Sequence, residues 1–301
     1  MHQQVEQTAY RVKQGYSIHL PFSRVVRGGE LLENPSPELV RLNAWKLEPV
    51  KPASIAPETQ APLPAPVLAP GGDISIIIPA WSAAEFLQEC LYSLVAQTHI
   101  LAGDSQYEIL LGVDACKSTR KRALKLAWNY PALQVHYFER NYGPYIVKNS
   151  LARLAKHERL MFFDADDTAC PGMIEVLLRH DQEPDGAAVY MNGCDSAGQV
   201  KKTCGVFLIR KADFLRMGGF MPWQCAADTE FLQRLDTAKV PKVFVNEVLM
   251  HRRVHDKQLT TKSDTGFGST LRGGYMRQIR QLGKLGLVNA GLVTVESMRL
   301  V

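Results

Sequence analysis

Leu160-Met161-Phe162-Phe163-Asp164-Ala165-Asp166-Asp167 is a run of bulky apolar residues that ends in a cluster of carboxylates. An apolar run without alternation fits a strand covered on both faces, the kind found in parallel sheets flanked by helices. In open α/β sheets ligands bind beyond the carboxyl ends of the strands, so Asp164, Asp166 and Asp167 are expected at the lip of a crevice. Clustered acids raise one another's pKa unless a cation neutralises them. Carboxylate oxygens suit a hard divalent ion, Mn2+ or Mg2+, of the kind that carries phosphates. The competing reading is an acidic turn that caps a helix opening near Pro171 and Gly172.

Outward from this stretch the same texture recurs. Residues 74–79, 107–113 (ending at Asp114) and 133–138 read as further strands, and 85–97, 119–128 and 145–155 as helices with one apolar face. Beyond a helix at 173–179, strands are expected at 187–191, 206–210 and 243–247, and helices at 211–217, 227–235 and 275–285. Strand–helix alternation at this pitch predicts an α/β domain: a doubly wound, mixed and mostly parallel sheet with right-handed crossovers.

The ends of the chain differ. Residues 1–47 read as a small β-rich accessory module, with strands at 10–12 and 16–19, a turn at 28–30 and a short helix at 36–42 opening at Pro37. A module of this size cannot bury a core of its own, so it is expected to dock on the main domain or on a protein partner. Residues 48–72 are rich in Pro and Ala, an extended spacer. The main domain spans 73–262, and 263–301 reads as a mobile Gly/Ser/Thr-rich loop followed by a basic helix.

The formal charge of +5 and pI near 8.8 are a mild bias. Without long Lys/Arg blocks or interleaved aromatics there is no clear nucleic-acid signature, and an anionic substrate is served equally well. The six cysteines are scattered, with no Cys-x-x-Cys pair and no signal peptide, which predicts reduced thiols in a cytoplasmic protein. No run approaches the roughly 20 apolar residues of a transmembrane segment. Peripheral contact at the inner membrane face stays open.

Four segments, in order, resemble the inverting family 2 glycosyltransferases, whose nucleotide-sugar-binding fold is called GT-A. They are ISIIIPAW (74–81) with SLVAQT (93–98), GVDACKST (112–119), NYGPYIVKNSLA (141–152) and FFDADD (162–167), the last matching the D-x-D motif. Two downstream segments extend the likeness. AADTEFLQRL (226–235) puts Asp228 on the position of the catalytic Asp, and RRVHDKQLT (252–260) resembles an Arg-x-His segment whose His ligates metal in some members. The likeness covers roughly residues 73–260. Two departures stand out: Ala227 where the family usually has Glu, and Asp114-Ala115-Cys116 where Asp-Asp-Gly is common.

The resemblance implies a metal-dependent transfer of a sugar from a nucleotide-diphosphate donor, a UDP-sugar favoured, to an acceptor hydroxyl on a glycan, a lipid-linked chain or another carrier. Asp228 would be the general base. Pro79, Asp114, Lys148, Asn149, Asp164 and Arg253 would contact the donor, and Asp166, Asp164 and His255 the metal. Each has a plainer alternative: Asp114 and Asp228 as turn or helix caps, His255 as a solvated surface residue, and Trp223 as packing instead of a sugar platform. Two rival functions are a nucleotidyltransferase and a degenerate domain that binds a sugar nucleotide or glycan without turnover. The first lacks its Gly-rich basic loop, since residues 80–84 hold neither Gly nor Lys; the second draws on Ala227.

Overall fold

The computed structural model of the chain describes residues 9–13, 17–19, 25–27, 29, 31–33, 47–50, 72–103, 105–181, 188–296 and 298–301. The helix expected at 36–42 and most of the expected linker lie outside the described residues.

The N-terminal part contributes β1 (Ala9–Val12), β2 (Ser17–His19), β3 (Val25–Arg27), β4 (Leu31–Glu33) and β5 (Leu47–Val50). Strand β1 lies between β4 and β5, antiparallel to both, and β2 pairs with β3. Residues 48–50, expected to open the linker, therefore belong to a sheet. Pro49 is tolerated there because β5 is an edge strand, where a missing N–H breaks no ladder.

The main domain begins with β6 (Ile74–Ala80), α1 (Leu87–Val95), α2 (Thr98–Leu101), β7 (Tyr107–Asp114), α3 (Lys117–Ala127) and β8 (Leu133–Phe138). Next come α4 (Pro144–Leu154), β9 (Arg159–Phe162), β10 (Thr168–Ala169), α5 (Met173–His180), β11 (Ala188–Asp195) and β12 (Val200–Arg210). It ends with α6 (Lys211–Arg216), α7 (Ala227–Thr237), β13 (Lys242–Arg252), α8 (Thr270–Lys284) and β14 (Met298–Leu300). These form one mixed sheet of nine strands in the order β10-β13-β11-β12-β9-β6-β7-β8-β14. Its centre, β9-β6-β7-β8, is parallel throughout, while β12 and β14 join that centre antiparallel.

The apolar runs follow from a core on both faces of the sheet. Ile74, Ile76, Ile78, Met161 and Phe163 pack on one side with α1, α3 and α5. Ile77, Leu160 and Phe162 pack on the other with α4, α6 and α7. Alternate side chains of a strand point to opposite faces, so a strand with two buried faces is apolar nearly throughout. Ser75 of β6 and Glu108 of β7 are exceptions, buried and bonded to each other at 2.7 Å. The second face centres on Phe162, Phe207, Phe214, Phe220 and Phe231, with Phe162 and Phe214 ring centroids 4.8 Å apart.

A buried clamp joins α4, α7 and the turn after α6. Arg234, 2% exposed, pairs with Glu230 at 2.7 Å and donates to the carbonyls of Met217 and Gly219. Gly219 has φ +61, and a Cβ there would come within 2.6 Å of Asn149 Oδ1, so only glycine fits. The C-terminal segment is tied to the same helix: Asn149 Nδ2 donates to the Val293 carbonyl, Val295 N–H donates to Ser150 Oγ, and β14 pairs with β8. Among the described residues no helix is long and apolar enough to cross a membrane.

Candidate functional site

The sheet order reverses at β6: β7 and β8 follow on one side and β9 returns on the other. Ligands of open α/β sheets bind at such a switch point, and here the strand ends open into a cleft of about 750 Å³. Pro79, Asp114, Lys148, Asp164, Asp166, Asp228 and His255 all line it.

On one side of the cleft the carboxylates leave the strand ends. Asp114 closes β7 and accepts the backbone N–H groups of Tyr142 and Gly143, both at 2.8 Å. Burial pushes its pKa up, and these two bonds oppose the shift. Asp114 therefore fixes the turn into α4 while still lining the cleft. Asp164 pairs with Lys148 Nζ at 2.9 Å, and Lys148, 2% exposed, also donates to the Gly205 carbonyl at 3.1 Å. Asp166 Oδ2 meets His255 Nε2 at 3.0 Å, and Phe86 packs on the His255 ring with centroids 4.6 Å apart. Asp167 is buried and accepts Arg253 N–H at 2.9 Å. Desolvation, and then the charges of Asp166 and Asp164, raise its pKa well above the usual carboxylate range.

The other side is built on α7. Asp228 sits in its first turn, entered through Ala226 in the left-handed region at φ +65. Non-glycine residues rarely take this conformation, and such strain gathers at functional turns. Ser82 and Ala115, at the ends of β6 and β7, are left-handed as well. Asp228 Oδ1 accepts from Thr229 N–H at 2.8 Å and from Tyr145 Oη at 3.2 Å. Between the two acidic groups passes Gly205 of β12: a Cβ there would lie 3.3 Å from Asp228 Oδ2 and 3.5 Å from Asp164 Oδ2. Glycine in mid-strand here permits a close approach.

The segment after β13 closes over the cleft. Lys257 pairs with Glu85 at 2.8 Å, Lys262 lies over the Trp81 ring at 4.4 Å, and Arg272 Nε donates to the Thr265 carbonyl at 2.8 Å. Trp223 stacks on Tyr275 with centroids 4.5 Å apart and planes 5° from parallel. Within residues 263–274, read as a loop from the sequence, Gly266 N–H bonds to the Lys262 carbonyl and Thr265 Oγ1 to the Leu259 carbonyl, and α8 starts at Thr270. Their Gly and Ser content serves tight turns and the Ser269 cap, whose Oγ accepts Arg272 N–H.

Two expected donor contacts are not in the cleft. Asn149 is fully buried and its amide is spent on the backbone of Phe220 and the Val293 carbonyl, so it clamps the fold. Arg253 pairs with Glu89 and lies over Phe86, away from the cleft lining, while its neighbour Arg252 lines the cleft and donates to Thr260 Oγ1 at 2.7 Å. The expected metal trio also divides. Asp166 and His255 form a pair, Asp164 turns to Lys148, and among the described residues no three His, Cys, Asp or Glu side chains gather as a metal cluster. Tyr145, Gly205, Phe86 and Arg252 were not anticipated. Tyr145 could have been, since it lies on the same helix face as Lys148.

Residues 75–203 match the family described as Glycosyl transferase family 2. The match stops short of Asp228 and His255. The curated protein Uncharacterized glycosyltransferase YibD of Escherichia coli (strain K12) is 29% identical over 113 residues, covering 37% of this chain and 31% of that protein. The alignment thus spans about a third of that relative's length. Among solved structures, S. aureus TarS 1–349 in complex with UDP-GlcNAc superposes with a TM-score of 0.59 at 15% identity, covering 73% of this chain and 68% of that one. Mannosyltransferase PcManGT from Pyrobaculum calidifontis, in complex with GDP-Man and Mn2+, gives 0.55 at 15% identity, covering 72% and 68%. At these identities the likeness shows the fold, and the fold is GT-A.

Proposed function

We propose that this family 2 domain moves a sugar from a nucleoside diphosphate donor, UDP-linked by preference, to an acceptor hydroxyl with inversion at the anomeric carbon. The observation that carries the reading is one cleft lined by Asp114, Lys148–Asp164, Asp166–His255 and Asp228, with Gly205 close to both Asp164 and Asp228. The solved neighbours that hold UDP-GlcNAc and GDP-Man lend support.

The residues fit a divalent ion. An octahedral ion with donors near 2.1 Å keeps neighbouring donors about 3 Å apart, and Asp166 Oδ2 and His255 Nε2 lie 3.0 Å apart. Asp166 and His255 would hold Mn2+ or Mg2+, which when bound supplies Lewis-acid stabilisation to a departing diphosphate. Lys148 adds a buried positive charge at the donor, and Arg252 a second cation on the cleft wall. Asp228 takes the proton of the acceptor hydroxyl as that oxygen attacks from the side opposite the leaving group.

The N-terminal strands are read as a docking module for a protein partner. The six free cysteines favour a cytoplasmic setting. A lipid-linked acceptor would bring the protein to the inner membrane face. One second reading has a specific observation behind it: Ala227 leaves no second carboxylate beside Asp228, as in a domain that binds without turnover.

A thermal-shift panel of UDP, GDP, UDP-N-acetylglucosamine and GDP-mannose, with and without Mn2+, tests the donor reading by mass action. At least one nucleotide should raise the melting point further when Mn2+ is present, and release of its diphosphate separates enzyme from binder. A panel with no shift at all would sink both readings.

A further inference from the structure

Tyr145 and Lys148 stand one helical turn apart at the start of α4 and share a face. Lys148 reaches Asp164, and Tyr145 Oη donates to Asp228 Oδ1 at 3.2 Å. One turn of helix therefore touches both acidic groups of the cleft. Tyr145 is buried and packs on Phe220 with ring centroids 5.5 Å apart. Burial, followed by the charges of Asp228 and Asp164, lifts its hydroxyl well above the usual phenol range, so it keeps its proton and acts as a donor.

Asp228 Oδ1 is thus occupied by Tyr145 and by the N–H and hydroxyl of Thr229, whereas Oδ2 takes no hydrogen bond from any described residue and faces Gly205. The position where the resembling family carries Glu is Ala227, fully buried in the aromatic core, and nothing there can orient the base.

The geometry points to Tyr145 as the positioning residue for Asp228: its phenol fixes the rotation of the carboxylate so that Oδ2 meets the acceptor hydroxyl. The inference rests on the proposed role of Asp228. In the transfer the acceptor proton passes to Oδ2 as the acceptor oxygen bonds to the anomeric carbon. The bond from that carbon to the diphosphate breaks, its electron pair leaving with the diphosphate. The Tyr145 proton stays in place throughout.

Tyr145→Phe removes one oxygen and keeps the packed ring. Diphosphate release from UDP-N-acetylglucosamine and GDP-mannose is measured with Mn2+ in the full chain. The expected result is a kcat roughly ten- to a hundredfold lower, with donor KM within about twofold, and no further loss when the change is added to Asp228→Asn. A readout that needs no donor is the rotation of the Asp228 side chain in a crystal structure of Tyr145→Phe, where loss of the phenol turns the carboxylate away from the orientation that leaves Oδ2 free. Wild-type kcat together with an unturned Asp228 carboxylate in Tyr145→Phe overturns the positioning role, and so does a loss that persists undiminished in the Asp228→Asn background. Wild-type release by Asp228→Asn alone removes the base itself, and the Tyr145 inference with it.

Discussion

Asp164 and Asp228 flank the same glycine and hang from the same turn of α4, yet they are held in opposite ways. Asp164 meets an ammonium, Lys148, which answers its charge. Asp228 meets a neutral phenol and a backbone N–H, which orient one oxygen and leave the charge for chemistry. The surroundings differ in kind as well. Asp114 ends, and Asp164 follows, a strand from the parallel centre of the sheet, whereas Asp228 follows a left-handed helix entry. The difference teaches that, under the proposed function, the half that would bind an anionic donor is pre-set by a charge pair, and the half that would take up a proton is pre-set by orientation.

The sharpest break of this comparison is to neutralise each acid in turn. Asp228→Asn should lower turnover by about 10²- to 10⁴-fold, the scale of a lost general base, with nucleotide affinity within about twofold. Asp164→Asn should instead weaken nucleotide binding. Equal effects on binding, read by calorimetry, would dissolve the division between the two halves.

Thiols report on the same division. Burial pulls the Cys116 thiol of the donor-side turn up, but hydrogen bonds involving Ser118, Thr119 and Ser82 outweigh it and bring the pKa down to about 7. Cys204, beside Gly205 on the acceptor side, is pushed up to about 11 by burial and then by the charge of Asp228. Because the thiolate is the reactive form, alkylation at pH 7 should favour Cys116 by about a hundredfold after allowing for its weaker nucleophilicity. Its rate should climb with pH and level off above about 7. Peptide mapping after iodoacetamide treatment checks this, and equal labelling would contradict it.

Smaller effects sharpen the donor side. Asp166→Ala or His255→Ala should cut the Mn2+-dependent gain in nucleotide affinity roughly tenfold or more, as lost metal support does elsewhere. A gain that survives both changes puts the ion at other residues. Lys148→Met should cost about 2 kcal/mol in urea unfolding. That figure reflects the loss of charge-assisted bonds to Asp164 and Gly205, moderated because the Asp164 side chain is 39% exposed and partly screened.

The parallel centre was legible because strands buried on both faces carry an unmistakable apolar run; Asp164 and Asp166 follow from where such a run ends, and Asp228 from the resemblance of residues 226–235. The errors arose where neighbouring residues point apart. Lys148 and Asn149 are about 100° apart around α4, so one faces the cleft and the other the clamp. Arg252 and Arg253 sit where β13 ends, and side chains alternate along extended chain, so the neighbour of the expected arginine lines the cleft. Edge strand β14 and the outer half of β12 left little trace, since β14 is only three residues long and the outer half of β12 is exposed and lysine-bearing, so neither forms an apolar run.

The tail that carries β14 lies outside the cleft lining, yet Val293 and Val295 bond directly to Asn149 and Ser150 on the helix that holds both acids. Shortening the chain before Val293 would free α4 to tilt and carry Tyr145 and Lys148 with it. The spacing of the two acids is moored at a remote anchorage, so if they act as proposed, damage to the tail would surface as a defect in chemistry.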